Sequence, residues 1–284
     1  MEIERRFCTW EEAVQWLRGQ PDQRQLVKDC YYDDPLSAAA ERYKQSGEWY
    51  VIRDFLPAGR GSALDVGAGR GIASYALARE GFEVTALEPD PSEVVGAGAI
   101  RSLAGGAKLP IKVVEEFSER LPFADESFDL VFARAVLHHT RDLEGACGEF
   151  FRVLKPRGRL LAVREHVISR PADLEQFLDQ HPLHRLYGGE NAFLLGRYRD
   201  AISAAGFTAV EALSPWHSAI NYFPQTEASL KEGLISRAAK ANPGAGRILG
   251  FFLEFPGMWS LACFLLSKID QRPGRLYSFI GNKP

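Results

Sequence analysis

Residues 63–78, ALDVGAGRGIASYALA, constrain the fold more than any other stretch of the chain. A short apolar run carrying Asp65 meets three glycines spaced two apart, Gly67, Gly69 and Gly71, and then a helix-like segment. Glycines at such a turn let the backbone bend through left-handed conformations and let a ligand lie against it at a helix N-terminus. The spacing disfavours two common ligands. A dinucleotide fingerprint needs its third glycine at position 72, which is Ile72. A phosphate-binding P-loop needs Gly-Lys-Ser/Thr, and none follows.

Downstream, the apolar runs VTALEP, IKVVEE, FDLVFA, GRLLAVREHV and TAVEAL are separated by helix-like segments such as LEGACGEFFRVLKP and RYRDAISAAGF. Runs that are apolar throughout suit strands of a parallel sheet covered on both faces. The expected fold is an α/β, doubly wound, Rossmann-like mixed sheet of seven strands, the last, RLYSFIGNKP, antiparallel. Residues 1–57 read as a helical N-terminal cap. The core domain then runs from 58 to 284, with lid segments at 164–196 and 216–274. An insertion of the second kind is long for a connection and reads as a lid or second layer.

The net charge is −3 with no Lys/Arg run, so no nucleic-acid partner is expected. Cys8, Cys30, Cys147 and Cys263 are scattered without CxxC spacing, which argues against a zinc knuckle or a disulfide scaffold. With an N-terminus too polar for a signal peptide, this points to a cytoplasmic setting. Residues 248–266, ILGFFLEFPGMWSLACFLL, are strongly apolar but hold Glu254, Pro256 and Gly257 at their centre. A membrane span tolerates a central carboxylate badly. The favoured reading is two short helices packed on the core or on a second subunit, with a membrane-surface contact as the alternative.

Four motifs in order resemble the class I S-adenosylmethionine-dependent methyltransferases over about residues 60–210. LDVGAGRG is similar to the first motif of that family, VTALEPD to the second, SERLPFADESFDLVFARAVLHH to the LPF…SFD…LHH run, and RVLKPRGRLL to the LKPGG turn. The resemblance implies that S-adenosyl-L-methionine is the cofactor. It implies that Gly67, Ala68 and Gly69 lie against it, Asp65 orients its ammonium, and Glu88, followed by Pro89, accepts its ribose hydroxyls. A carboxylate accepts two hydrogen bonds at once and so suits a diol. Phe117 stands where many relatives carry an adenine-binding Asp, so Phe117, Ser118 and the strand residue Ala133 are the adenine-side candidates. Arg42, ahead of the first strand, is a candidate partner for the cofactor carboxylate, with a solvated helix face as the plain alternative.

Ligands in this fold sit outside the carboxyl ends of the strands. All six histidines fall on that edge: His138, His139, His166, His181, His184 and His217. Methyl transfer to a hydroxyl needs alignment and removal of a proton, work suited to histidine. His166 is the first choice for the base and His139 the second, with Glu165 either orienting one of them or facing a helix. In LYGGEN, Tyr187, Glu190 and Asn191 are candidate substrate contacts, against the plain reading of a tight turn. No metal is expected, because Pro182 separates His181 from His184 and neither a carboxylate nor a cysteine cluster completes a set. The expected activity is methylation of an oxygen or nitrogen of a small molecule, such as a sugar, glycolipid, quinone or secondary metabolite. The alternative is a methyltransferase-fold scaffold that acts on a partner through the apolar insertion. An NAD-dependent oxidoreductase is disfavoured by Ile72.

Overall fold

The glycine-run strand is the centre of the sheet. The computed structural model describes residues 8–284, so the first seven residues of the expected cap lie outside the described residues. Eight strands form one sheet: β1 (Ser62–Val66), β2 (Glu83–Leu87), β3 (Lys112–Val114), β4 (Phe128–Arg134), β5 (Leu154–Ile168), β6 (Phe193–Leu194), β7 (Thr208–Leu213) and β8 (Arg275–Asn282). Their order is β3-β2-β1-β4-β5-β8-β7, with β6 paired to the end of β5. β8 runs antiparallel to both its neighbours, and the other pairings are parallel. The expected mixed sheet is present. Its extra strand is the two-residue β6, too short to leave a periodic signal.

The central strands β1, β2 and β4 are largely apolar because helices bury both faces. On one face Leu64, Val131 and Leu160 join Phe150 and Ile202, from helices Leu143–Val153 and Leu195–Ala204. On the other, Ala63, Leu130 and Leu161 join Tyr43, Trp49 and Leu77, from helices Leu36–Lys44, Gly47–Ile52 and Ile72–Arg79.

A β-bulge interrupts β5. Ala162 pairs with Phe279 and Glu165 with Tyr277, so β5 carries one extra residue there. Arg164 takes a left-handed φ of 60°, and its amide donates to Ser278 Oγ at 3.1 Å. Such bulges redirect side chains beside functional sites. Here the redirected residues are charged and turned inward. Glu48, on helix Gly47–Ile52, is fully buried and meets Arg134 through two hydrogen bonds of 2.6 and 3.0 Å. Arg164 stands 3.5 Å from the same carboxylate and donates to the Ile220 and Phe223 carbonyls. Burial opposes ionisation of Glu48, but the two guanidiniums hold its carboxyl below the usual range. One carboxylate thus ties the N-terminal helices, β4, β5 and the long insertion.

Within that insertion, helices Pro243–Leu253 and Met258–Ile269 are bent by 118° at the break, and among the described residues no single helix is long and apolar enough to cross a membrane. The expected packing of 248–266 on the core is not what the structure shows. Ile248, Phe251, Phe252, Phe255, Phe264 and Leu265 are all exposed, while Leu253 and Cys263 turn inward. Hydrophobicity alone does not say which way a short helix faces.

Glu48→Ala leaves the half-buried Arg134 without its carboxylate partner. It should lower the unfolding free energy by about 3–5 kcal/mol, measured by urea denaturation. A loss below about 1 kcal/mol would show that the pair contributes no more than a surface ion pair.

Candidate active site

Gly67, Gly69 and Gly71 have φ of 59°, 54° and 78°, the region where side chains are strained. A Cβ on Gly67 would come within 2.7 Å of Val136 Cγ2, so this glycine lets the loop pack against the turn after β4. A Cβ on Gly69 would meet nothing closer than the Val95 carbonyl at 3.9 Å, so the backbone there is open to a ligand. Asp65, buried near the end of β1, accepts from Ser74 Oγ at 2.5 Å. Glu88, just beyond β2, accepts from the Gly69 amide at 2.7 Å and the Asp90 amide at 3.0 Å, one on each oxygen. Each oxygen keeps a lone pair for a further donor. Burial pushes the Asp65 carboxyl up to about 7, with the neighbouring Glu88 charge adding to it. Burial likewise pushes Glu88 up to about 7, against the two amide hydrogen bonds. Two buried carboxyls with this proton affinity at adjacent strand ends suit a cationic ligand that also carries hydroxyls.

The N-terminal helices close over this loop through a residue the sequence reading passed over. Arg70, inside the glycine run, is buried, donates to the Tyr31 and Asp33 carbonyls at 2.9 Å each, and pairs with Asp34. Arg42, the candidate partner for the cofactor carboxylate, is paired within the cap. Its guanidinium is engaged by Asp33 through two hydrogen bonds and by the Lys28 carbonyl, because the Asp33 carboxylate folds back onto its helix. Tyr31 and Tyr43 stack edge-to-face, with the Arg134 guanidinium 5.7 and 5.3 Å from their ring centres. Both phenol hydroxyls are buried without a hydrogen-bond partner. Of the adenine-side candidates, Ala133 sits fully buried in β4 between Val66 and Ala162. Pro89 is half-buried beside Glu88. Phe117 is 62% exposed, and Ser118 Oγ donates to Glu119 at 3.2 Å, placing both at a rim.

Five histidines converge where β4 and β5 end. Glu165 orders them. Its carboxylate accepts the amides of Val136, Leu137 and His138, each at 3.1 Å, and takes Nδ1 of His138 at 2.6 Å. Glu165 thus orients neither of the two expected bases, His166 and His139, but their neighbour His138. On its other side His138 Nε2 meets Glu190 at 3.1 Å. Burial opposes the charge on His138, yet Glu165 and Glu190 raise its pKa to about 9, so it is an imidazolium at neutral pH. Glu190 is brought there by helix Pro182–Tyr187 and the left-handed Gly188 that ends it. Burial works against its ionisation too, but His138, His139 and His184 hold it far below the usual carboxyl range.

His139 Nε2 lies 3.8 Å from Glu190, its Nδ1 is 3.4 Å from the Gly189 carbonyl, and its side chain is 35% exposed. Burial, and then the His138 charge, lower its pKa. His166 is enclosed by the rings of His138, Phe177 and His184, with Nδ1 on the Gly274 carbonyl at 2.9 Å. Burial lowers its pKa well below the usual histidine value. Of the two candidate bases, His139 is the more exposed and His166 is half-buried among rings. His181 stacks on His184 and caps the Leu183 amide. The sixth histidine, His217, lies apart, bonded to Ser214 at 2.6 Å. Tyr187 packs edge-on against Trp10 at 5.0 Å, joining the lid to the first helix. Asn191 is half-buried beside Glu190. Glu190 folds between histidines from two strand ends and one helix, a proximity that the sequence spacing does not show.

Residues 64–162, which hold the glycine loop, Glu88 and the LHH turn, match a family model described as a methyltransferase domain. The match covers this segment and is to a methyltransferase domain. An uncharacterized methyltransferase of Mycobacterium sp. (strain JLS) is 36% identical over 120 residues, 42% of this chain and 44% of that protein. The chain thus matches less than half the length of that curated relative. Among solved structures, phosphoethanolamine N-methyltransferase 2 of Haemonchus contortus, in complex with S-adenosyl-L-methionine, aligns over 92% of this chain and 60% of its own, with a TM-score of 0.58 and 19% identity. The [4+2]-cyclase SpnF aligns over 87% and 81%, with a TM-score of 0.54 and 20% identity. At these identities the structural neighbours share the fold alone, and a fold hosts more than one chemistry.

The raised pKa of Asp65 yields a pH-dependent prediction. Its folded carboxyl titrates near 7 against an unfolded value of 3.8, so the folded state holds an extra proton between these values. Its contribution to stability is therefore present at low pH and lost as pH rises through about 7. Asp65→Asn should raise the unfolding free energy of the ligand-free protein by about 1–3 kcal/mol at pH 8 and change it little at pH 4. Denaturant titrations at the two pH values check this, and equal effects at both would show that Asp65 ionises freely in the fold.

Proposed function

We propose that the chain binds S-adenosyl-L-methionine along the glycine loop and methylates an oxygen or nitrogen of a small-molecule acceptor. The observation that carries this reading is the pairing of an open loop at Gly69 with the two buried carboxyls Asp65 and Glu88 at neighbouring strand ends. Asp65 meets the requirement for an anionic partner to an ammonium, and the spare lone pairs of Glu88 meet the requirement for a diol acceptor. The unpartnered hydroxyls of Tyr31 and Tyr43 supply further polar contacts on the cap side. When bound, the cofactor supplies a methyl group activated by its sulfonium. The protein's remaining work is to align the acceptor and take its proton.

His139 is the residue placed for the proton. Its Nδ1 faces a backbone carbonyl, which leaves Nε2 as the basic atom, and its lowered pKa keeps the ring neutral. Glu190 stands 3.8 Å from it, and Glu190 with Tyr187 and Asn191 of the same lid segment would form the acceptor side. They suit an acceptor with both apolar and hydrogen-bonding parts, such as a hydroxylated sugar, quinone or secondary metabolite.

Calorimetric titration with S-adenosyl-L-methionine should show one site per chain, lost or weakened at least about tenfold, ~1.4 kcal/mol, by Glu88→Ala. Heat indistinguishable from buffer would remove the enzyme reading and leave the scaffold alternative, in which the exposed apolar insertion acts on a partner. Against a panel of hydroxylated and amine acceptors, read by S-adenosylhomocysteine release, His139→Ala should cut kcat by about 10²-fold or more, with cofactor affinity retained. Unchanged kcat would exclude His139 as the base.

A further inference from the structure

The acceptor-side cluster contains more ligating chemistry than proton transfer uses. We propose that His166, His184 and Glu190 form a binding site for one divalent first-row transition ion, with zinc the representative case. The three residues lie in one lid segment, yet reach the site from three places: the end of β5, helix Pro182–Tyr187, and the loop after it. One ligand atom from each lies within 4.8 Å of those of the other two. His184 Nε2 stands 3.9 Å from Glu190 Oε1, too far for a hydrogen bond. Two donors at 2.0–2.1 Å from a tetrahedral ion are about 3.3 Å apart, so a small inward movement would close this gap around a metal.

The polar accounting supports an ion rather than a hydrogen-bonded cluster. The His184 side chain is only 10% exposed and its Nδ1 has no hydrogen-bond partner, so this ring holds a buried nitrogen that the protein alone does not satisfy. His166 spends Nδ1 on the Gly274 carbonyl, which leaves Nε2 as its ligating atom. A backbone carbonyl or carboxylate on the far nitrogen is how metal-bound imidazoles are oriented. His138, held by Glu165 and Glu190, differs: both its nitrogens already face carboxylates. Two imidazoles and one carboxylate make a set that leaves coordination positions open, as in catalytic zinc sites and non-haem iron sites. Exposed His139 stands 3.8 Å from the Glu190 ligand, so a bound ion would be placed to take an acceptor's hydroxyl oxygen and ease loss of its proton. That role rests on the proposed methyl transfer, whereas ion binding does not.

The test is therefore run without cofactor or acceptor, on untagged protein dialysed against chelator. Titration with Zn²⁺ should give one tight ion per chain, and Co²⁺ should produce the visible absorption of a low-coordinate nitrogen–oxygen site. Glu190→Gln and His184→Ala should each abolish the stoichiometric ion and the cobalt spectrum, while His217→Ala, outside the cluster, should retain both. Circular dichroism checks that each variant is folded; if Glu190→Gln is not, His184→Ala decides. Absence of a stoichiometric ion in the wild type, or undiminished binding in a folded Glu190 or His184 variant, overturns the site. Either result leaves the separate calorimetry with S-adenosyl-L-methionine to judge the methyltransferase reading.

Discussion

The Glu165 carboxylate is the point on which both halves of the site depend. Placed inward by the β5 bulge, it accepts three consecutive amides from the Val136–His138 turn and one imidazole nitrogen. Four donors converging on one buried carboxylate compensate its desolvation and fix the turn in one geometry. That turn presents Val136 to Gly67 on one side and His138 to Glu190 on the other. The backbone that would receive a cofactor and the side chains that would receive an acceptor are thus set by the same anion.

A second buried carboxylate, Glu48, does for the outer shell what Glu165 does for the inner one. It joins a helix ahead of the sheet to Arg134 on β4 and Arg164 on β5, and Arg164 reaches on to the insertion carbonyls. Arg70 adds the third connection, from the glycine run itself to the Tyr31–Asp34 loop. The first helix and the lid helix share a small apolar core in which Val14 and Leu17 meet Leu183 and Leu186. The covering segments are therefore anchored to the sheet by buried charge and by the apolar contacts of Tyr43 and Trp49, and to each other by apolar contact.

Sequence pattern made much of this legible. The glycine spacing and its failure to continue at Ile72, the apolar strands, and the acid at position 88 depend only on local periodicity and backbone sterics, so they could be read in order along the chain. The clustering of histidines at one sheet edge was legible as well, because strand ends in a parallel sheet fall together. Arg70 was legible in principle, since a cation inside a glycine turn has few places to go except the covering segment.

What the sequence determined by itself was the sheet, its glycine turn and the edge where chemistry collects, because near-neighbour spacing dictates which residues share a strand end. Tertiary structure alone decided the partners. It assigned Arg42 to Asp33, enclosed His166, left His139 at the surface, and set Glu190 among imidazoles that lie up to 52 positions earlier in the chain, at His138. It also turned the phenylalanines of the last insertion outward. Buried charges choose partners by distance in space, and that distance is fixed only when a bulge in β5 and a left-handed glycine at 188 have turned the chain back on itself.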